Sequence, residues 1–155
     1  MSHLIASFQC STSEETETLA KELFRISAKG DTFHLEGRIG AGKSTFARAF
    51  IKEACGPETE VPSPTFTLVQ TYDAPSAEIW HCDLYRLTSP DEVLELGLDI
   101  AFKDAITLIE WPDRLGEEAP ETALRLNFEL QERGRMISVF GNLEWAKRLV
   151  NLNGQ

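Results

Sequence analysis

The sequence has few cysteines, few basic residues and no long apolar run. Its three cysteines, in a chain of 155 residues, are odd in number and include no Cys-x-x-Cys pair. Neither a disulfide framework nor a structural zinc site is therefore expected. No apolar segment approaches the roughly 20 residues needed to span a bilayer. The N-terminus also lacks the basic and apolar regions of a secretion signal. These absences favour a cytoplasmic protein with no membrane association.

Positive charge is scarce, with 15 basic against 25 acidic residues and a net charge of −10. Nucleic-acid binding depends on clustered Lys and Arg, so tight direct binding of nucleic acid is not expected. An acidic protein can still act on nucleic acid through a basic partner. The content of 42% hydrophobic and 26% charged residues is that of an ordinary globular chain, and the length favours one domain over residues 1–155.

Helical and strand patterns alternate along the chain. Capping residues and apolar spacing predict helices in STSEETETLAKELFRISAKG, KSTFARAFIKEACG, SPDEVLELG and NLEWAKRLVNL. Strands are predicted in DTFHLEG, TFTLVQTY, AEIWHCDLY and AITLIEW, and a hairpin in TALRLNFELQERGRMISVFG. Ser89 is the predicted N-cap of the third helix and Gly97 its end. The short DAPS connection predicts a second antiparallel hairpin. The whole pattern predicts an α/β sandwich of three layers, with helices flanking a mixed β-sheet.

The segment GRIGAGKS matches G-x-x-x-x-G-K-[ST] and lies between a predicted strand and a predicted helix. Its glycines let successive backbone N–H groups surround a phosphate chain, and the helix N-terminus adds positive potential. Lys43 is expected to reach the β- and γ-phosphates, and the Ser44 hydroxyl to coordinate Mg²⁺. An incidental glycine-rich turn is disfavoured by this context, so the fold is expected to be P-loop NTPase-like. The predicted nucleotide-binding residues here are Gly37, Gly40, Ala41, Gly42, Lys43, Ser44 and Thr45.

HCDLYR places His81, Asp83 and Tyr85 two residues apart, so on a strand all three project from one face. Asp83 is predicted to orient an attacking water or to hold the hydration shell of a metal ion. The alternative is a solvent-facing strand end, in which Asp83 pairs with Arg86 or another cation. His81 is interpreted as a hydrogen-bonded structural residue without a catalytic role.

ITLIEWPDRLG contains two acids, Glu110 and Asp113, and either could be the acid that lies next to Mg²⁺. Glu110 ends an apolar strand, where such an acid is expected, whereas Asp113 lies beyond Pro112 in the following loop. Asp113 begins a D-x-x-G sequence, but a GTPase would also carry N-K-x-D, and no asparagine here is followed by Lys-x-Asp. Glu110 is therefore predicted to be the magnesium-side acid, and the missing N-K-x-D disfavours GTP as the nucleotide. The asparagines in question are Asn127, Asn142, Asn151 and Asn153.

Two further segments leave alternatives open. Thr65 lies in VPSPTF, about 20 residues after the phosphate loop, where many phosphate-loop hydrolases carry a mobile threonine that senses Mg²⁺ and the γ-phosphate. A rigid proline turn that opens a strand is equally compatible with this segment. Arg133 and Arg135 in QERGRM could reach a phosphate or a partner, but solvation of a hairpin turn is the favoured interpretation.

Four stretches together, GRIGAGKST, SPTF, HCDLYR and IEWP, resemble the TsaE (YjeE) family of small bacterial ATPases over roughly residues 5–145. The resemblance implies a Mg²⁺-dependent ATPase that is weak alone and stimulated by its partners. Those partners would be TsaB and TsaD, with which it would make threonylcarbamoyladenosine at position 37 of tRNA. Contact with tRNA would be indirect, through the complex.

The same resemblance assigns roles to five residues. Ser44 and Glu110 would be the magnesium-side pair, Asp83 would be needed for hydrolysis, Thr65 would lie in a switch-like loop, and Trp111 would lie near the nucleotide.

The chain departs from the family pattern at the loop. Many members have Asp in place of Arg38, Leu in place of Ile39 and Thr in place of Ser44. Ser44 keeps the coordinating hydroxyl, whereas Arg38 changes the charge at the outer edge of the loop, where a partner contact is affected. The alternative functions are a small-molecule kinase, although no Arg-rich lid is apparent, and a non-catalytic nucleotide-dependent regulator.

Overall fold

The computed structural model describes residues 2–150 and residue 152. Its elements, in chain order, are β1 (His3–Cys10), α1 (Ser13–Arg25), β2 (Thr32–Gly37), α2 (Lys43–Cys55), β3 (Val69–Asp73), β4 (Glu78–Asp83), α3 (Asp91–Glu95), α4 (Leu98–Asp104), β5 (Ile106–Glu110), a 3₁₀ helix (Pro112–Glu118), β6 (Leu124–Leu130), β7 (Arg135–Gly141) and α5 (Leu143–Leu149). None of the helices in this part of the chain is long and apolar enough to cross a membrane.

The strands form one sheet in the order β1-β7-β6-β2-β5-β4-β3. The central strand β2 pairs in parallel with β5 and β6, and β4 pairs in parallel with β5. The pairs β3–β4, β6–β7 and β1–β7 are antiparallel. The mixed sheet and both predicted hairpins are therefore confirmed.

Helices cover both faces of the sheet, and the strands β4 and β5 contribute side chains to an apolar cluster on each face. On one face, Phe33 of β2 packs edge-on against Phe50 of α2 and Trp145 of α5, with ring centroids 5.1 and 5.4 Å away. On the other face, Ile109 of β5 belongs to a cluster with Val93 of α3 and residues of α4 and the 3₁₀ helix. The predicted three-layer arrangement is confirmed.

Capping residues define the predicted helix starts. The Thr12 hydroxyl accepts a hydrogen bond from the Glu15 N–H (3.2 Å), and the Glu15 carboxylate accepts one from the Ser11 N–H (3.1 Å). Before α3, Glu92 accepts a hydrogen bond from the Ser89 N–H (3.1 Å), so one half of the predicted capping box is present. This helix nevertheless begins at Asp91, with Pro90 rather than Ser89 in the cap position.

Several elements and boundaries differ from the sequence-based expectations. The first helix ends at Arg25, although the segment predicted to form it runs to Gly30. The N-terminal segment, for which no strand was predicted, forms β1 at the sheet edge. The strand predicted from Thr65 begins only at Val69, because residues 65–68 form a turn in which the Leu68 N–H donates to the Pro64 carbonyl (2.7 Å). Gly97 ends α3 with φ 84° but directly precedes another helix, α4, which was not predicted. The last helix ends at Leu149, and Asn151, which the prediction included, lies outside the described residues.

Candidate nucleotide-binding site

The glycine loop, residues 37–44, connects the end of β2 with the start of α2. Gly37, Gly40 and Gly42 have φ values of 141°, 86° and 112°, which side chains rarely adopt. A Cβ at Gly37 would also lie 2.6 Å from the carbonyl oxygen of Phe128 on the neighbouring strand β6. The sequence therefore needs glycine here to bring the loop close to the sheet.

The start of α2 presents backbone donors to this loop. Its first backbone hydrogen bond runs from the Phe46 N–H to the Gly42 carbonyl (3.0 Å). The N–H groups of Lys43, Ser44 and Thr45 thus have no acceptor within the helix. Together with the helix dipole, they form an environment suited to an anion.

Lys43 is almost fully buried at the base of the loop, with 6% of its surface exposed. Its Nζ donates to the Gly37 carbonyl (2.6 Å) and lies 5.0 Å from the ring centroid of Trp111. Trp111 itself has a left-handed backbone conformation (φ 60°), and its ring packs against Tyr85 at 4.8 Å. Such strained conformations cost about 1–3 kcal/mol and are common at functional sites.

Asp83 and Glu110 are the last residues of β4 and β5 and occupy register positions opposite each other. Both are mostly buried, with 7% and 8% of their surfaces exposed. The two carboxylates therefore lie side by side at the carboxyl end of the sheet, where ligands bind in open α/β folds.

Asp83 is held by neutral donors and not by the cation considered above. Its Oδ2 accepts a hydrogen bond from the Thr65 hydroxyl (3.2 Å), and its Oδ1 accepts one from the Tyr85 N–H (3.1 Å). Arg86, the alternative partner, instead lies 5.6 Å from the ring centroid of Phe66. The alternative interpretation, a solvent-facing Asp83 paired with Arg86, is therefore wrong.

Glu110 is oriented by His81. The two side chains are buried, and His81 Nε2 lies 2.8 Å from Glu110 Oε2, where the ring donates to the carboxylate. His81 is thus hydrogen-bonded, as expected. Tyr85 was expected on the same strand face as His81 and Asp83. It lies beyond the end of β4 at Asp83, so strand alternation does not place its side chain.

A cleft of about 400 Å³ joins these groups. All the predicted site residues line it except Gly37 and Ala41, and the Ala41 side chain is buried in the core. Asp113 lies outside it, in the 3₁₀ helix. The cleft is lined by Ile39, Gly40, Gly42, Lys43, Ser44, Thr45, Ser63, Thr65, Asp83, Tyr85, Glu110, Trp111 and Arg135.

The oxygen ligands that line this cleft suit a magnesium–nucleotide complex better than a metal ion alone. Within residues 2–150 and 152, no three His, Cys, Asp or Glu side chains are grouped to hold a metal ion. Mg²⁺ is usually bound by one or two carboxylates together with phosphates and water. A hydroxyl at Ser44 and carboxylates at Asp83 and Glu110 beside an anion cradle match that requirement.

Comparison with known proteins decides the family. The model of the family described as threonylcarbamoyl adenosine biosynthesis protein TsaE matches residues 10–137. The chain belongs to the TsaE family. The TsaE of Rickettsia bellii is 42% identical over 142 residues, which cover 92% of this chain and 90% of the relative. The TsaE of Bacillus subtilis is 38% identical over 114 residues, which cover 73% of this chain and 70% of the relative.

The fold is also found in a solved structure. The crystal structure of YdiB from Bacillus subtilis superposes with a TM-score of 0.76 at 24% identity, covering 97% of this chain and 93% of that one. The three-layer fold of this TsaE family member therefore has an experimental counterpart.

Three further polar residues line the cleft of this TsaE family member without having been predicted as site residues: Ser63, Tyr85 and Arg135. Ser63 reaches the cleft from an irregular segment and Tyr85 from a turn, and the sequence pattern reveals the geometry of neither. For Arg135, a phosphate contact was the less favoured of the two alternatives given by the sequence. The sequence did contain a usable pattern for it, because Arg135, Ile137 and Val139 are spaced two residues apart and therefore share one face of β7, and Ile137 and Val139 face the core. This spacing directs Arg135 to the face of the sheet that packs against α1 and α2.

Proposed function

We propose that this chain is a Mg²⁺-dependent ATPase that acts with TsaB and TsaD in the biosynthesis of threonylcarbamoyladenosine at position 37 of tRNA. The family assignment supports the pathway. The ATPase activity is proposed from one observation, the adjacent buried carboxylates of Asp83 and Glu110 beside the N-terminus of α2.

The glycine loop and α2 would bind the phosphate chain. Backbone N–H groups at the start of α2 and the Lys43 ammonium supply positive charge, and neither requires a large rearrangement to face an anion. The Lys43 Nζ, which contacts the Gly37 carbonyl, can exchange that neutral acceptor for charged phosphate oxygens. Charge-assisted hydrogen bonds are the stronger ones.

Ser44 and Glu110 would hold Mg²⁺, which when bound neutralises charge on the β- and γ-phosphates. The hydrogen bond from His81 fixes the direction of the Glu110 carboxylate, so this ligand is oriented before the nucleotide binds. Metal ligands are commonly oriented in this way by a second hydrogen-bonded group.

Asp83 would orient the attacking water. Two neutral donors, the Thr65 hydroxyl and the Tyr85 N–H, fix the direction of its carboxylate. Since Thr65 donates to Asp83, the segment that contains Thr65 is linked to the same carboxylate, and any displacement of that segment changes the position of the carboxylate.

The test is Mg²⁺-dependent ATP hydrolysis with and without TsaB and TsaD, for the wild type, Asp83→Asn and Asp113→Asn. Asp113→Asn is the matched control, because it makes the same chemical change to a nearby acid outside the cleft. We expect weak turnover by the isolated chain and a marked increase with the partners. Asp83→Asn should lower the rate about 10²-fold or more, while Asp113→Asn stays near the wild type.

Three outcomes would contradict the proposal. Equal rates for Asp83→Asn and the wild type would remove Asp83 from the reaction. TsaB and TsaD that neither bind the chain nor alter its rate would remove the partner assignment. ATP binding without turnover, even with both partners present, would instead identify a nucleotide-dependent regulator.

A further inference from the structure

Arg135 is the first residue of β7, and its side chain does not solvate the hairpin turn as expected. The turn before it is closed by its own backbone, through a hydrogen bond from the Gln131 N–H to the Gly134 carbonyl (3.0 Å). Arg135 is opposite Leu130 in the β6–β7 register, on the face that carries α1 and α2. Arg133, its neighbour in the turn, is exposed.

The Arg135 side chain packs against the glycine loop. A Cβ placed on Gly42 would lie 2.9 Å from Arg135 Cδ and 3.3 Å from its Cζ. On the far side, Nη1 donates to the hydroxyl of Thr16, a fully buried residue of α1 (3.1 Å). The guanidinium is therefore fixed between α1 and the loop, directly beside the residue that precedes Lys43.

Most of the hydrogen-bonding capacity of this guanidinium is free. An arginine has five N–H donors, and in the described part of the chain one hydrogen bond, to Thr16, is found. The Nε is buried without a partner there, and no carboxylate of the described residues forms an ion pair with Arg135. An uncompensated cation on the wall of a cleft favours an anion.

The sheet order shows which part of a nucleotide this cation can meet. Strands β5 and β4, which carry Glu110 and Asp83, lie on one side of the central strand β2, and β7 lies on the other. Arg135 and the two acids thus line opposite walls of one cleft, with the start of α2 between them. If the terminal phosphate and Mg²⁺ lie at the acids, a phosphate chain that follows the start of α2 along this cleft extends its nucleoside end toward Arg135.

We propose that Arg135 is a second cationic ligand of the nucleotide and binds the α-phosphate at the nucleoside end of the cleft, opposite Asp83 and Glu110. This inference rests on the proposed nucleotide-binding function. It assigns different phosphates to the two cations, with Lys43 at the terminal phosphates and Arg135 at the phosphate that ATP and ADP share with AMP.

The experiment is calorimetric titration of the full chain with ATP, ADP and AMP in the presence of Mg²⁺, for the wild type, Arg135→Gln, Arg135→Lys and Arg133→Gln. Because Arg135→Gln loses one charge-assisted contact, its Kd should be about tenfold higher than that of the wild type. This increase should be the same for ATP and for ADP. The Kd of Arg135→Lys should lie between those of the wild type and Arg135→Gln, because lysine keeps the positive charge but lacks the planar set of donors of a guanidinium. Arg133→Gln should match the wild type.

Binding, rather than hydrolysis, separates this inference from the proposed function. If the wild type binds ATP without hydrolysing it, even with TsaB and TsaD present, the ATPase proposal fails and the comparison of Kd values still supports or refutes the role of Arg135. Unchanged Kd values for Arg135→Gln would overturn the inference, and so would a loss confined to ATP, which would place Arg135 at the γ-phosphate. Binding of no nucleotide by the wild type would overturn both.

A purely structural role makes a different prediction. Thermal melting without nucleotide should show Arg135→Lys folded, with a midpoint near that of the wild type. If the affinity of the variants falls only in proportion to a lower melting temperature, Arg135 supports the fold and the inference is overturned.

Discussion

His34 gives a quantitative prediction about stability and pH. It lies on β2, on the opposite face from Phe33, with 6% of its surface exposed and with Nε2 unpartnered among the described residues. Burial, and then the positive charge of Arg125, lower its pKa from 6.5 to about 4. Arg125 is its register neighbour on β6, and the acids lining the adjoining cleft are Glu36, Asp113 and Glu121.

The direction of this pKa shift determines whether the free energy of unfolding rises or falls with pH. Because the folded-state pKa of His34 lies below the unfolded value, the unfolded chain binds the extra proton between pH 6.5 and about 4. Stability is then complete above pH 6.5 and decreases as the pH falls through this window. One pKa unit corresponds to about 1.4 kcal/mol. His34 alone should therefore remove about 2 kcal/mol by pH 5 and about 3 kcal/mol by pH 4.

Urea unfolding at pH 7, 6 and 5 measures this contribution through His34→Gln, which cannot gain the proton. Between pH 7 and pH 5 the wild type should lose about 2 kcal/mol more of its free energy of unfolding than the variant. His3→Gln is the control, since His3 is exposed at the edge of the sheet. The reasoning is refuted if the curves for the wild type and His34→Gln run parallel to within about 0.5 kcal/mol, the scale of the extrapolation error.

Two further predictions concern the glycine loop and the cysteines. Gly37→Ala should lower the free energy of unfolding by about 2 kcal/mol or more, because its Cβ would meet the Phe128 carbonyl oxygen at 2.6 Å. Gly40→Ala, with no atom within 4 Å of its Cβ, should lose only about 1 kcal/mol; equal losses in urea unfolding would contradict this. In the folded protein a thiol reagent should modify Cys55 well before Cys82, because Cys82 is fully buried and its pKa is raised by burial and by the charge of Asp83. Mass spectrometry showing equal labelling rates would refute the expected protection.

Local sequence patterns were sufficient for the elements that carry their own determinants. The helix starts at Thr12 and Asn142 are defined by side-chain caps within three residues, and β5 by a continuous apolar run. β1 has no such determinant, because it is an edge strand and its partner, β7, is distant in sequence. Gly97 was interpreted only as the end of a helix. In the structure this left-handed residue both follows α3 and is the N-cap of α4.

The same distinction separates the parts of the candidate site. The glycine loop is contiguous in sequence, so its residues could be identified together. Glu110 could be chosen over Asp113 because strand ends are readable from the pattern. The contribution of Arg135 depends on the register of β7, and that of Tyr85 on the turn after β4. The spacing of Arg135 from Ile137 indicates only which face of the sheet it occupies. Its position beside Gly42 and the turn that places Tyr85 are tertiary properties that no spacing of residues specifies.

The pairing of β1 with β7 has a consequence for the order of folding. The side chain of Gln9 bonds to the backbone of Arg133, 124 residues away, so the N-terminal strand has no place in the sheet until the C-terminal hairpin has left the ribosome. Contacts between such distant segments form slowly. Strands β2 to β5 and α2 can associate earlier, with Lys43, Asp83 and Glu110 among them. Arg135, at the start of β7, can join Lys43, Asp83 and Glu110 in the cleft only after the C-terminal hairpin has formed.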